Sequence, residues 1–588
     1  MTEIPAKGLR TQTHAVDFCV VGGGLAGMSA AIAAARHGIR VALMHDRPMP
    51  GGNASSEIRM WICGAHGKNN LETGIVEEIQ LANRYRNSTG NWSVWDSILY
   101  EKVRFEPNIT LLLNCSCNAV KMAGARIGAV KGWQFTTQTW QVVKARLFAD
   151  CSGDSILAPL TGAEIRWGRE ARDEFKEDIA PPVTDRKTMG MSCLIQARET
   201  DRPQHFVPPA WAYRYARDDA LPHRGHDFRN SSTNFWWIEV GGEQDAIQDT
   251  EQLRDELLKI AFGVWDHIKN QGDHGAQNWA LEWLGFLPGK RESRRYVGDH
   301  ILTQNEVRAG GRFDDLVAYG GWPMDDHHPA GFYHPGKPTT FHPAPSPFGI
   351  PYRALYSRNI SNLWCAGRNI SVTHAAMSST RVMATCATLG QAVGNAAAIA
   401  ARDGLTPRGV YEQRIHELQQ SLMDDDCYLP GHRREVSELT RNARLDASAG
   451  DPEPLRNGRD RPVDDEETSW TAAPGDWVAY TFDQPVRLRR LRLVFDSDLN
   501  RQVPAMPCSY PLLQVIHAVP PTLVKGFHID VVRQDGTWET VFTETCNIQR
   551  LRQIPLDAVA HACRCVVDTA WGNDKVRLFA FDASGAAV

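Results

Sequence analysis

The stretch Trp322-Pro323-Met324-Asp325-Asp326-His327-His328-Pro329 sets an imidazole beside two carboxylates. A histidine titrates near neutral pH, which suits His327 to taking and returning a proton, and a neighbouring aspartate can orient the ring. The same Asp/His group is a candidate metal ligand set. Side chains adjacent in sequence rarely supply a whole coordination shell, so no metal is expected. A second cluster lies in Pro288-Gly289-Lys290-Arg291-Glu292-Ser293-Arg294-Arg295. Arginine grips oxygens with paired donors, so Arg291, Arg294 and Arg295 either clamp a carboxylate or polyol substrate or end in ion pairs with Glu292 or Asp299. The ion-pair role is expected for two of the three. His66, in Cys63-Gly64-Ala65-His66-Gly67, is either a proton donor or a loop residue. Trp236, Trp237, Trp265 and Trp283 are either a stacking wall for a sugar or ordinary core.

The element that would position these groups begins at Gly22-Gly23-Gly24-Leu25-Ala26-Gly27. An apolar run, Val16 to Val21, precedes it. An Ala-rich stretch, Met28 to His37, follows, and then a second apolar run, Ile39 to Met44. Strand, tight turn, helix and strand within roughly thirty residues match a dinucleotide-binding βαβ unit. Gly22 permits the turn, Gly24 lets backbone approach a pyrophosphate, and Gly27 lets helix pack on strand. The helix N-terminus supplies N–H donors and a positive dipole end. An acid that grips the adenosine ribose is expected about twenty positions on. Position 45 is His45, with Asp46 next. Either Asp46 takes the role through a one-residue shift, or His45 donates to the ribose.

Three further segments extend the pattern: Pro50-Gly51-Gly52-Asn53-Ala54-Ser55-Ser56-Glu57, Phe148-Ala149-Asp150-Cys151-Ser152-Gly153-Asp154, and Leu363-Trp364-Cys365-Ala366-Gly367-Arg368-Asn369-Ile370-Ser371. The last precedes a helix expected from Thr380 to Ala401. In order and spacing they resemble the FAD-contacting segments of the glutathione-reductase-like flavoproteins. More specifically, the chain resembles the FAD-dependent oxidoreductase family, which is distantly similar to the flavin subunits of fumarate reductase and heterodisulfide reductase. The matching pieces are His45-Asp46-Arg47-Pro48 through Glu57, Pro288 to Arg295, Gly321 to His327, Ala366 to Ser371, and Thr380-Arg381-Val382-Met383-Ala384-Thr385. They cover roughly residues 15 to 430.

The resemblance implies noncovalent FAD. It places Gly22, Gly24, Gly27, His45, Asp46, Arg47, Gly51, Gly52, Asn53, Ser56, Val120, Gly153, Asp154, Gly367, Arg368 and Arg381 against the cofactor. In this fold class the last glycine turn and the long helix face the isoalloxazine, and the helix dipole favours negative charge on the reduced ring. His374 then lies near the ring, in proton chemistry or as a plain contact. With His327 and Arg294 it makes up the expected reacting set. The cysteine spacing does not support the iron–sulfur clusters of the heterodisulfide reductase relatives.

The fold class expected is α/β: a Rossmann-like FAD-binding domain with an inserted α+β substrate domain and a C-terminal β-sandwich. The FAD-binding domain is discontinuous, 15–165 and 345–405, with strands at Ile109 to Leu113 and Gln141 to Phe148. The insertion, 166–344, holds one helical stretch, Thr250 to Asn270. Residues 406–455 read as helix and linker, and 456–588 as the sandwich. Asn457-Gly458, Ser469-Trp470, Asp476 to Phe482 and Leu491 to Leu499 resemble the discoidin-like, galactose-binding-like sandwiches. Such modules either bind carbohydrate or serve as packing partners.

With 42% apolar and 23% charged residues, the composition of the 588-residue chain is that of a soluble globular protein. At a net charge of -5 nothing points to nucleic acid, and no nucleic-acid partner is expected. Arg487-Leu488-Arg489-Arg490-Leu491-Arg492-Leu493 reads as the polar face of a strand. There is no apolar run of eighteen residues, so no membrane span is expected, and the polar start, Met1 to His14, points to a cytoplasmic protein. The 13 scattered cysteines include no C-x-x-C pair and fit reduced thiols. The expected activity is hydride transfer from a hydroxyl-bearing sugar or polyol to flavin N5, with the electron acceptor and homo-oligomer formation left open. The alternatives are reduction of an unsaturated carboxylate, and carbohydrate binding with a structural flavin.

Overall fold

A computed structural model describes residues 8–229, 235–501, 518–533 and 536–587. Residues 1–7 of the polar start and 502–517 and 534–535 of the expected sandwich lie outside the described residues. The chain divides into two units. The described part of the first comprises residues 8–65, 89–229 and 235–418, and that of the second 66–88, 419–501, 518–533 and 536–587.

The apolar runs that flank the glycine turns are buried on both faces, as parallel strands covered by helices must be. In the first unit they are β1 (Phe18–Val21), β2 (Val41–Met44), β3 (Ile109–Leu112), β4 (Leu147–Asp150) and β5 (Leu363–Cys365). They form one parallel sheet in the order β5-β4-β1-β2-β3. Helix α1 (Leu25–Arg36) leaves the first glycine turn between β1 and β2. The run expected as one strand from Gln141 to Phe148 is two. Thr139–Lys144 joins an antiparallel and parallel four-stranded sheet with Arg10–Ala15, Arg126–Gln134 and Cys115–Ala123, whereas Leu147–Asp150 joins the central sheet.

A short helix not expected from the sequence, α2 (His374–Thr380), precedes α3 (Met383–Asp403), the helix expected from Thr380 to Ala401, at a bend of 93°. Helix α3 lies on α1 closely enough that a Cβ at Gly390 would stand 1.9 Å from the Ala26 carbonyl oxygen, and one at Gly394 2.5 Å from that of Ala30. These small residues, one turn apart, set the close contact between α1 and α3. The middle region is built on Thr250–Asp266, a helix that continues as a π turn, His267–Gln271. Trp237, Trp265 and Trp279 are buried in its core, so Trp237 and Trp265 are packing residues. Among the described residues no single helix is long and apolar enough to cross a membrane.

The second unit is a seven-stranded antiparallel sheet. Its long strands are Trp477–Phe495, Leu551–Ala570 and Val576–Ala587, packed around Trp470, Tyr480, Phe495, Phe527 and Phe581. The segment expected as linker is structured: Glu438–Asn442 is helical, and Arg444–Ala447 pairs with Trp477–Phe495. Residues 66–88, which the sequence places within the 15–165 segment, group with this unit. Ser497 donates to Glu77 (2.6 Å), and Arg461 donates to Thr73 (2.7 Å). In the basic run, a register shift between Leu488 and Arg490 leaves Arg489 and Arg490 both exposed. Beyond that bulge, Arg492 turns inward onto Asp460 at 2.6 Å and is only 3% exposed. All the described cysteines are free thiols.

Gly390→Ala separates packing from propensity. Alanine is better than glycine in a helix by about 1 kcal/mol, whereas overpacking against Ala26 costs roughly 1–3 kcal/mol. The variant is expected to unfold at lower urea than the wild type, as followed by circular dichroism. An unchanged or higher midpoint contradicts the close α1–α3 contact.

Candidate active site

Two glycine turns meet where β1 and β2 end. The Gly51 N–H donates to the Gly23 carbonyl at 2.8 Å, and Gly24 and Gly51 pair as an isolated bridge. A Cβ at Gly22 would lie 2.4 Å from the Cys151 backbone, and one at Gly27 1.8 Å from the Gly22 carbonyl oxygen. A Cβ at Gly24 would meet nothing nearer than the Gly52 Cα at 3.9 Å. The chain's own backbone therefore demands Gly22 and Gly27, while Gly24 faces open space. The N-terminus of α1 has no side-chain cap, so its first-turn N–H groups are left for an anion.

His45 ends β2 with its ring buried. The Gly23 N–H donates to its Nδ1 at 3.0 Å, which leaves the ring proton on Nε2. That Nε2 is buried without a hydrogen-bond partner. Burial, helped by the charge of Arg47, pulls the His45 pKa down to about 4, against Asp46. Asp46 itself is exposed, its carboxylate 3.4 Å from the His45 Nδ1. Of the two ribose candidates, the histidine faces inward and the aspartate faces solvent. Asn53, in the short 3-10 turn Gly52–Ala54, donates to the Lys290 carbonyl at 3.0 Å. The Ser56 N–H donates to Asp96 at 3.1 Å. Val120 is half-buried in mid-strand, paired with Val130 in the four-stranded sheet.

The third and fourth segments meet over Asp154. Lys290 Nζ, Ser293 Oγ and Arg368 Nη2 each donate to its carboxylate at 2.8 Å. Burial pushes this carboxyl up, but Arg368 and Lys290 outweigh it and hold it well below the usual range. The Arg368 guanidinium crosses Gly153 so closely that a Cβ there would be 2.7 Å from it. Gly367, at φ +118°, turns the chain from β5 toward α2.

The polar atoms buried without a partner include His45 Nε2, Arg47 Nη1, Arg368 Nε, Asn369 Oδ1, Ser371 Oγ and Arg381 Nε. They come from the end of β2 (His45, Arg47), the turn after β5 (Arg368, Asn369, Ser371) and the break before α3 (Arg381). With the open face of Gly24 and the uncapped helix, they fit a large polar dinucleotide.

Strand Met324–His327 lies between two histidine clusters. On one side His327, 3% exposed, has Nδ1 2.6 Å from Glu239 and Nε2 3.2 Å from Asp325. Arg381 donates to Asp325 at 3.1 Å, and Arg291 stands 3.4 Å from Glu239. Trp236 meets the His327 ring edge-on, 5.2 Å between centroids. On the other side His374, the first residue of α2, has Nδ1 2.9 Å from Glu292 and Nε2 3.3 Å from Asp326. Its backbone N–H donates to Glu170 at 2.8 Å. Burial pulls the His374 pKa down, yet Glu292 and Asp326 overcome it and raise it to about 10. His374 is thus an imidazolium at neutral pH, with both N–H groups donated to carboxylates. Its charge stabilises the fold fully below about 6.5, the ordinary histidine value, and that contribution is lost as pH rises through about 10.

The three arginines divide. Arg291 pairs with Glu239, and Arg295 pairs with Glu292 and Glu170. Arg294 is half-buried against the Trp167 ring, 6.0 Å from its centroid, and makes no ion pair with a described residue. Asp299 is taken by Arg408. Trp283 lies under Arg59. His66 is exposed and belongs to the second unit. Glu239 and Glu170 carry no motif in the sequence. The one signal for Glu239 is a lone acid in the otherwise apolar run Trp236-Trp237-Ile238-Glu239-Val240.

Fold and site together fit a dinucleotide-binding protein. The family model described as "FAD dependent oxidoreductase" matches residues 17–422, and the chain belongs to that family: it is an oxidoreductase whose cofactor is FAD. Curated proteins include no match. The solved structures similar to the C-terminal region include the family 32 carbohydrate-binding module from Streptococcus pneumoniae EndoD, at 16% identity and TM-score 0.20, covering 25% of this chain and 99% of that one. Another is the family 32 module from C. perfringens NanJ in complex with galactose, at 7% identity and TM-score 0.19, covering 25% and 97%.

The depressed His45 pKa makes the end of β2 acid-labile. Unfolded histidine takes a proton near 6.5, folded His45 only near 4. Stability present above about 6.5 is therefore lost as pH falls toward 4, by roughly 2–3 kcal/mol. Urea midpoints of wild type and His45→Asn, compared from pH 7 to 4, should converge in acid. A constant gap between them contradicts a buried neutral imidazole.

Proposed function

We propose that the protein oxidises a hydroxyl group of a sugar or polyol, and that the strand Met324–His327 carries the proton chemistry. Bound FAD supplies an acceptor for the substrate's hydride at N5. The observation that carries the reading is the Glu239–His327 pair: at 2.6 Å the carboxylate fixes Nδ1 and leaves Nε2 on the longer, 3.2 Å contact with Asp325. As general base the dyad would exchange the Nε2 contact with Asp325 for a substrate hydroxyl, with Glu239 steadying the imidazolium that forms. His374, with its ring nitrogens on Glu292 and Asp326, would act by holding Asp326 in place on that strand. The N-terminus of α3, which has no side-chain cap, favours negative charge on the reduced cofactor. Among the residues expected against FAD, Gly22, Gly24, Gly27 and His45 would take the adenosine and pyrophosphate, and Gly51, Gly52, Gly153, Gly367 and Arg368 the ribityl and flavin portion, on a Rossmann-like sheet.

A sugar or polyol is favoured by the discoidin-like sequence pieces of the C-terminal region and by Trp236 beside His327. Arg294 supports a second reading. As the one guanidinium of its cluster without an ion pair, it fits a substrate carboxylate, which suits reduction of an unsaturated acid.

Anaerobic mixing with a panel of sugars and polyols should bleach the flavin absorbance, and His327→Asn should slow that bleaching by roughly 10²-fold or more. Reoxidation of the reduced enzyme by an enoate, with no bleaching by any hydroxyl compound, overturns the reading in favour of the reductase.

A further inference from the structure

Outside the flavin site, the middle region brings together four potential ligands that no motif connects. Asp218, His226, His267 and His274 present ligand atoms that all lie within 4.8 Å of one another. We propose that they bind a divalent metal ion, Zn²⁺ by ligand type, as a structural site that ties the π turn after Thr250–Asp266 to the segment 218–226.

The geometry of three of the four is already close to a coordination face. His267 Nε2 is 2.9 Å from Asp218 Oδ1 and 3.1 Å from His274 Nε2, and the third edge, His274 Nε2 to Asp218 Oδ1, is 3.5 Å. Tetrahedral zinc with bonds of about 2.0–2.1 Å has ligand-to-ligand edges of roughly 3.3–3.4 Å. His226 supplies the fourth corner, its ring 4.9 and 4.8 Å from those of His267 and His274. Its Nε2 is buried with no hydrogen-bond partner.

Tautomer and backbone agree with this. His267, fully buried, has Nδ1 2.7 Å from the Tyr215 carbonyl. An N–H there donates outward and leaves the Nε2 lone pair pointing into the cluster, the second-layer contact that metal-bound histidines make. Two ring nitrogens and a carboxylate oxygen at these distances need a proton or a metal ion shared among them. Gly272 makes room for the arrangement, since a Cβ on it would stand 2.3 Å from His274 Nε2. Lys269 donates to the Ala276, Gln277 and Trp279 carbonyls at 2.7–2.8 Å and fixes the loop that carries His274. Three imidazoles and a carboxylate suit zinc better than magnesium or calcium, which take all-oxygen shells. Four protein ligands without an open position mark a structural site rather than a reacting one.

The test uses the full flavin-loaded chain, equilibrated with Zn²⁺ and freed of excess, with metal content read by mass spectrometry and flavin absorbance as the check on folding. About one Zn²⁺ per chain is expected. Co²⁺ in its place should show the intense visible absorption of a four-coordinate ion. His274→Ala and Asp218→Asn should each weaken binding at least roughly tenfold. The Asp218 side chain is 72% exposed, so its variant decides the matter even if His274→Ala fails to fold. Substoichiometric zinc that is equal in wild type and Asp218→Asn, or a Co²⁺ spectrum of a six-coordinate aquo ion, overturns the site. The cluster would then be held by a proton shared among His267, His274 and Asp218.

Discussion

Buried charge compensation around the strand Met324–His327 is the constraint on which the first unit depends. Taking an ion out of water costs several kcal/mol unless it is paired and hydrogen-bonded. Here the strand's own alternation solves the problem. Asp325 and His327 fall on one face, where Glu239, Arg291 and Arg381 meet them. Asp326 falls on the other, where His374 and, beyond it, Glu292 and Arg295 continue the chain of opposite charges. A one-residue slip of this strand would exchange the two faces and leave every one of these groups mispaired. The register is therefore fixed by electrostatics as well as by packing.

The same clusters join pieces of chain that are distant in sequence. Glu239 and Glu292 come from the middle region and Arg381 from the break between α2 and α3, while Glu170 and Glu177 fill the N-terminus of α2 through the His374 N–H and the Thr373 hydroxyl. The cofactor end relies on a different device. Glycines at 22 and 27 allow backbone-to-backbone approaches that no side chain survives, and His45, held neutral, stands where an acid is more usual. One half of the site is thus built from permanent charges, the other from open backbone donors and a neutral imidazole.

Much of this was legible from local pattern. The glycine turn at Gly22 and the paired glycines at 51 and 52 mark places where the chain packs closely, Gly367 marks a positive φ, and such demands are written in single residues. The α1–α3 contact was foreshadowed by the small residues at 390 and 394. Less legible were features set by tertiary context. The helix break at Arg381 and Val382 has no proline or glycine to announce it. Gln141 to Phe148 is uniformly strand-like, although its two halves belong to different sheets. Segment 66–88 belongs with the C-terminal sheet through Glu77 and Thr73, contacts that span more than 380 residues in sequence. Glu239, the partner of His327, is a lone acid whose role exists only in three dimensions, and the same is true of the His226, His267 and His274 group.

The central claim is that permanent buried charge holds this site together, and the protonation state of His374 tests it most directly. Side-chain ¹⁵N resonances of the histidines, followed from pH 6 to 11 in wild type and in His374→Gln to assign the signal, report it. The account predicts two protonated ring nitrogens at His374 through neutral pH, with loss of a proton only near pH 10. Titration near the ordinary histidine value of about 6.5 would contradict it.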